Sequence, residues 1–220
     1  MAGLGAGAFN RLFDVVHPEA RLVTVEIDPM ILELARGHAD FRPGPNEEVV
    51  IDDARVFLRK SRETFDWILL DTFNREGQIP AHLATGEFFR IVHGRLAEDG
   101  VLLANLIQGT RFFASDVLTI RAVFPEVVLL PVSDHENVIV VAAKSPATPL
   151  RLRPEAVGGD DQARYRGYGV DLAEIARSAV RERDYLPLLG SYGVVLTDDF
   201  APVESLDREA IPSIRPAQAG

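Results

Sequence analysis

Gly3-Leu4-Gly5-Ala6-Gly7-Ala8, followed by Val23-Thr24-Val25-Glu26-Ile27-Asp28, decides how this 220-residue chain is read. A glycine-rich turn lets backbone approach a nucleotide closely. A helical pattern follows it, then a short apolar strand that ends on a carboxylate about 20 residues downstream. That spacing suits a turn beneath a cofactor and an acid on its ribose hydroxyls. Gly3, Gly5, Gly7 and Glu26 are therefore the first candidate binding residues. The alternative is a tight β-to-α turn with nothing bound, at which Glu26 merely ends a strand.

Outward from that turn, strand and helix patterns alternate. Ala8–Val16 carries Phe9, Leu12, Phe13 and Val16 on one helical face. Arg21–Glu26 reads as a strand, Pro29 opens a helix, and Val49–Ile51 is a short strand. A helical piece begins at Asp53. Phe65–Leu70 is an almost unbroken apolar strand, expected to be buried on both faces with Trp67 in the core. Thr85–Leu96 and Asp116–Val123 read as helices and Gly100–Leu106 as a strand. Val127–Val132 and Asn137–Ala143 suit an antiparallel hairpin at the sheet edge.

The pattern predicts an α/β fold with a doubly wound, mostly parallel sheet, Rossmann-like and of methyltransferase type. Only Met1 and Ala2 precede Gly3, so the first strand is expected to be truncated, with the natural start lying upstream as one explanation. Residues 1–143 are read as the α/β domain and 144–220 as a C-terminal helical appendage packed on it. Within the appendage, Lys144–Gly169 looks like a surface segment and Leu172–Arg183 like one helix. Pro212–Gly220 looks like a frayed end.

The formal net charge of −10, without a basic cluster, argues against nucleic acid as a partner. The absence of cysteine excludes disulfides and thiolate chemistry. No apolar run reaches the ~20 residues of a spanning helix, so no membrane partner is expected and the default location is cytoplasmic. His17, His38, His82, His93 and His135 lack ligand spacing, so no metal is expected.

In an open α/β sheet, ligands lie outside the carboxyl ends of the strands. Glu26, Asp53 and Asp71 fall at such ends. Asp53 suits either an acceptor for an exocyclic amino group or the cap of a helix starting at Ala54. Asp198 and Asp199 suit either the acceptor side of a site or a turn before Pro202.

Val25-Glu26-Ile27-Asp28-Pro29, Asp53-Ala54 and Phe65-Asp66-Trp67-Ile68-Leu69-Leu70-Asp71 resemble the spermidine synthases and other polyamine aminopropyltransferases. Thr197-Asp198-Asp199-Phe200-Ala201-Pro202-Val203-Glu204 resembles a tail of bacterial spermidine-synthase-like proteins. The resemblance implies a nucleoside donor, decarboxylated S-adenosylmethionine or S-adenosylmethionine itself, and a polyamine acceptor, and it leaves a homodimer open. It implies Asp71 as the base. It places Gly3, Gly5, Gly7, Glu26, Asp53 and Ala54 on the donor and Asn74, Asn105 and Asp198 on the substrate. The loop Thr72–Pro80 would cover the site, with Gly77 as a hinge.

Three positions depart from the family pattern. Ala6 and Asn74 stand where it carries aspartates, and Asn105-Leu106-Ile107 replaces a Gln-Gly-Glu-like stretch. The nucleoside half is kept and the amine half has lost charge. Two further classes fit the same residues: an S-adenosylmethionine-dependent methyltransferase, and a nucleoside-binding protein without catalysis.

Overall fold

Met1–Gly3 lies between two parallel strand pairs and joins them into one sheet. The computed structural model describes residues 1–74, 77–133, 135–147, 150, 152, 154–202, 206 and 210–215. Its first half alternates α1 (Ala8–Val16), β1 (Leu22–Glu26), α2 (Pro29–His38), β2 (Glu47–Ile51), α3 (Ala54–Lys60) and β3 (Phe65–Leu70). There follow α4 (Gly86–Arg95), β4 (Leu96–Ile107), α5 (Arg111–Arg121), β5 (Glu126–Pro131) and β6 (Asn137–Ala143). The last helices are α6 (Gly159–Arg166), α7 (Leu172–Arg177) and α8 (Glu182–Leu189).

β1 pairs with β2, and β3 with β4, in parallel. The Ala2 N–H donates to the Leu69 carbonyl at 2.8 Å, and the Asp71 N–H donates to the Ala2 carbonyl at 3.0 Å. On the other side the Val25 N–H reaches the Met1 carbonyl at 2.8 Å and the Gly3 N–H the Val25 carbonyl at 2.9 Å. The order is β2-β1-(1–3)-β3-β4-β6-β5, with β6 antiparallel to both its neighbours. The chain winds outward on one side of Met1–Gly3 and then resumes on the other. That reversal opens a crevice at the carboxyl ends of the central strands.

Helix starts follow local chemistry. Asp28, Asp53, Thr85 and Thr110 each accept an N–H of the first turn of the helix they precede. Pro29 occupies the first helical position of α2, where no N–H is required. One face of β4 buries Leu102, Ala104 and Leu106, and α5 supplies Phe112, Val117 and Ile120 to the same cluster. Val180, Tyr185, Leu189, Leu196, Ile211 and Ile214 from the C-terminal third join that cluster. Among the described residues no helix is long and apolar enough to cross a membrane.

Three expectations are corrected. β3 is not buried on both faces: Trp67 is 53% exposed. Met1–Gly3 pairs with Val23–Val25 of β1 and with Leu69–Asp71 at the end of β3. Their amino-terminal ends instead flank a cavity of about 370 Å³, which Trp67 shares with Phe9, Phe13 and His17 of α1 and its C-cap. Leu172–Arg183 is not one helix. It breaks after Arg177 because Val180 exchanges two backbone hydrogen bonds with Leu129 and so covers the edge of β5. α6 lies within the expected surface segment and is itself mostly exposed; its polar sequence has no apolar stripe to announce the helix. Pro212–Arg215 is not frayed, since Ile214 is buried and its N–H donates to the Gln108 side chain at 2.7 Å. Residues 216–220 lie outside the described set.

Candidate functional site

The crevice is a cavity of about 320 Å³ lined by Gly3, Gly5, Glu26, Asp53, Ala54 and Asp71, among others. The glycine turn forms its floor. A Cβ on Gly3 would stand 2.2 Å from the Asp71 carbonyl oxygen, at a φ of +92°. Glycine is therefore required where the turn passes under the end of β3. Gly5 has no heavy atom within 4 Å of the place a Cβ would occupy, so the turn leaves open space above it. Gly7 is the N-cap of α1, in left-handed conformation beneath the Phe41 ring, and is not on the cavity wall.

Glu26 ends β1 and is 8% exposed. Its two oxygens accept separately, Oε2 from the Leu4 N–H at 2.9 Å and Oε1 from the Asp28 N–H at 3.0 Å. The carboxylate thus ties the glycine turn to the turn after the strand. Each oxygen retains further acceptor capacity.

Asp53 divides its carboxylate in the same way. Oδ1 accepts from the Val56 N–H at 2.9 Å as the cap of α3, and Oδ2 lies 2.7 Å from His82 Nε2. Burial pushes the Asp53 carboxyl up, but its hydrogen bonds from Val56 and His82 outweigh burial and hold it below the usual range. Asp53 therefore caps α3, as one sequence reading expected, and it also lines the cavity.

Asp71 follows β3. Its Oδ1 accepts from Asn105 Nδ2 of β4 at 2.8 Å, and Asn105 Oδ1 accepts from Asn137 Nδ2 of β6 at 2.9 Å. Asn105 is spent on Asp71. Next to Asp71, the Thr72 hydroxyl is buried with no protein partner among the described residues, and Thr72 lines the cavity.

None of the three expected substrate residues, Asn74, Asn105 and Asp198, lies on the cavity wall. Asn74 is off the cavity wall and closes a turn with Gln78, whose N–H it accepts through Oδ1 at 3.0 Å. Arg75 and Glu76 of the same loop fall outside the described residues, and Gly77 has the positive φ expected of a turn glycine. Asp198 is also off the wall. It accepts from Arg55 Nη1 at 2.8 Å and from the Thr85 hydroxyl at 2.7 Å, while Arg55 Nη2 reaches its other oxygen. The Arg55 and Thr85 donors lower its carboxyl to about 2. Asp198 thus latches the tail onto α3 and α4, and the tail sequence served a clasp.

His82, Thr72 and Asn137 were missed in the sequence. His82 sits in a short 3-10 turn (Ala81–Leu83) without helical or strand periodicity, and its Asp53 partner is distant in sequence. No group of three or more metal-ligating side chains occurs among the described residues.

Residues 4–121 match the spermine/spermidine synthase domain. The polyamine aminopropyltransferase of Vibrio vulnificus strain CMCP6 is 28% identical over 211 residues, 93% of this chain and 68% of the relative. The chain spans between 55% and 68% of the length of four polyamine aminopropyltransferases that it matches. The crystal structure of a probable spermidine synthase from Corynebacterium glutamicum ATCC 13032 superposes with a TM-score of 0.66 at 22% identity, over 92% of this chain and 72% of that one. Human methyltransferase-like protein 13, in complex with SAH, gives 0.61 at 21% identity, over 93% and 86%. Both likenesses show the fold.

Proposed function

This chain belongs to the spermine/spermidine synthase domain family, and we propose that its cavity takes the adenosyl part of a sulfonium donor, with Asp71 as base for transfer to an amine. The observation that carries the reading is the convergence of Glu26, Asp53 and Asp71 on one cavity over the glycine turn. The cavity fits such a group on two counts. Gly5 leaves space where any side chain would intrude, and the Thr72 hydroxyl lacks a partner that a ligand would supply.

Glu26 is already fixed by two N–H donors, so it offers its remaining lone pairs to ribose hydroxyls without reorganising. In this reading an exocyclic amino group donates to Asp53 Oδ2, the oxygen that the helix cap does not use. A sulfonium donor supplies a carbon whose bond to sulfur breaks as an incoming nitrogen forms its own bond. The sulfur departs as a neutral thioether and needs no acid. The nitrogen becomes cationic and loses a proton, which the Asp71 carboxylate accepts. Asn105 occupies Oδ1 and leaves Oδ2 for that proton.

A second reading is methyl transfer from S-adenosylmethionine. It is favoured by the uncharged residues Ala6 and Asn74 at positions where a polyamine site of this family carries acids. Calorimetry with methylthioadenosine, S-adenosylmethionine and its decarboxylated form, followed by product analysis, tests both. Turnover of the decarboxylated donor supports aminopropyl transfer and methyl transfer supports the second reading. No nucleoside binding at all overturns both.

A further inference from the structure

Arg55 stands in the first turn of α3, just after Asp53 and Ala54, and its side chain is 18% exposed. It lies off the cavity wall. Its planar fork joins three parts of the chain. Nη1 donates to the His82 carbonyl at 2.9 Å and to Asp198 Oδ1 at 2.8 Å, and Nη2 donates to the other Asp198 oxygen. Asp198 also accepts from the Thr85 hydroxyl at 2.7 Å, and its N–H donates to Glu87 at 3.0 Å. Nearby, the Leu196 N–H donates to the Thr119 hydroxyl of α5 at 2.9 Å, and the Leu196 carbonyl accepts from the Gly86 N–H of α4 at 2.9 Å. Arg55 thus ties the Ala81–Leu83 turn to a stretch of tail that is seated on α4 and α5. Pro80, His82 and Leu83 line the cavity beside Asp53 and Ala54.

We propose that Arg55 is a positioning residue for the nucleobase end of this cavity, acting through His82 on Asp53. The inference rests on the adenosyl reading above. Asp53 accepts the Val56 N–H on Oδ1 at 2.9 Å and the His82 ring Nε2 on Oδ2 at 2.7 Å. Donors on both oxygens fix the plane of the carboxylate, and Oδ2 keeps acceptor capacity for an exocyclic amino group. The His82 ring holds Asp53 only while the backbone that carries it stays in place, and Arg55 holds that backbone through the His82 carbonyl. Arginine suits the post because its rigid fork serves a carbonyl and a carboxylate at once. Without Arg55 the turn loses its tie to the tail, and Asp53 is oriented chiefly by its cap bond. An amino group on the base then counts for less against a carbonyl oxygen.

The test is calorimetry of methylthioadenosine and methylthioinosine with wild-type protein, Arg55→Met, Asp53→Asn and the double variant; Asn caps a helix about as well as Asp. Arg55→Met is expected to lower the ratio of the two affinities roughly threefold or more, as for groups in one hydrogen-bond network. Asp53→Asn lowers it too, and adding Arg55→Met to Asp53→Asn changes it no further. A merely structural role for Arg55 lowers the melting temperature and leaves the ratio alone, because the folded fraction scales both affinities equally. If Arg55→Met fails to fold, Asp198→Ala frees the guanidinium from the tail and carries the same expectation. A folded Arg55→Met or Asp53→Asn variant with the wild-type ratio overturns this inference alone. So does an Arg55 effect that persists at full size in the Asp53→Asn protein. Absence of methylthioadenosine binding by wild-type protein overturns this inference together with the adenosyl reading.

Discussion

Asn105 donates its side-chain amide to Asp71 Oδ1 at 2.8 Å, across the parallel pair β3–β4. The amide faces that way because Asn137 donates to the Asn105 carbonyl oxygen from β6 at 2.9 Å. A flipped Asn105 would set oxygen against carboxylate at one contact and nitrogen against a donor at the other. The relay thus orients Asp71 and leaves its second oxygen for chemistry.

Replacing Asp71 by Asn removes a base and keeps the shape. Any amine-transfer rate is expected to fall roughly 100-fold or more, the usual contribution of a positioned base. Methylthioadenosine affinity should change by less than about threefold, because a base acts in the chemical step. Steady-state kinetics beside calorimetry separate the two effects. A variant with near-normal rates refutes the role of Asp71.

Glu26→Gln should weaken methylthioadenosine roughly tenfold, about 1.4 kcal/mol, near the low end for a hydrogen bond to a charged group. It should also lower stability. A Gln amide nitrogen cannot accept, so either the Leu4 or the Asp28 N–H loses its partner. Unchanged affinity with a lowered melting temperature would leave Glu26 a purely structural carboxylate.

Much of this arrangement was legible in the sequence, for local reasons. The glycine turn, the Asp28-Pro29 helix start and the apolar run of β3 each follow from chemistry within a few residues. Periodicity also placed Glu26, Asp53 and Asp71 at strand ends, because strand ends are where apolar alternation stops. What stayed hidden depends on distant partners. Asp198 was indistinguishable from a ligand-binding acid until Arg55 stood against it, far back in the chain. Trp67 looked like core because an almost unbroken apolar run reads as a strand buried on both faces. The break before Val180 is set by the exposed edge of β5, which no helical pattern in Leu172–Arg183 encodes.

The Asp198–Arg55 clasp makes an acid-stability prediction. The Asp198 carboxyl is lowered from 3.8 to about 2 in the folded protein. A depressed folded value contributes stability that is complete above the unfolded value and is lost as pH falls through the folded one. Asp198→Asn should therefore be less stable than wild type at neutral pH, by about 0.5–1 kcal/mol, the range for a partly exposed pair. The difference should vanish between about pH 4 and pH 2. Urea titrations across that interval measure it, and a difference constant in pH would detach Asp198 from the stability of the tail.

Asp116 predicts the opposite sign. It lies 2% exposed on α5 with Oδ1 unpartnered among the described residues, and burial raises its carboxyl well above the ordinary value. Because its folded value exceeds its unfolded one, wild-type stability falls as pH rises above about 4. Asp116→Asn keeps the shape and never carries the charge, so it should be more stable than wild type at neutral pH. The gain should disappear in acid. Equal stability of the two proteins at neutral pH would show that Asp116 carries no desolvation cost.

The last prediction concerns the amine. Wild-type protein should transfer an aminopropyl group to putrescine poorly or not at all, even where it binds methylthioadenosine well. Ala6 is exposed in the glycine turn and brings no charge to the donor's amino end. Asn74 is turned into its own loop and Asn105 is committed to Asp71. Asp198, an acid that could have compensated, is neutralised by Arg55. A dication leaving water would thus lack the acids that the family pattern carries at the positions of Ala6 and Asn74, and each missing charged contact weakens binding by about 1.5–3 kcal/mol. The Ala6→Asp and Asn74→Asp variants should therefore raise turnover with putrescine, chiefly by lowering KM. Robust putrescine-dependent product from wild-type protein would contradict the prediction and require another acid on the acceptor side.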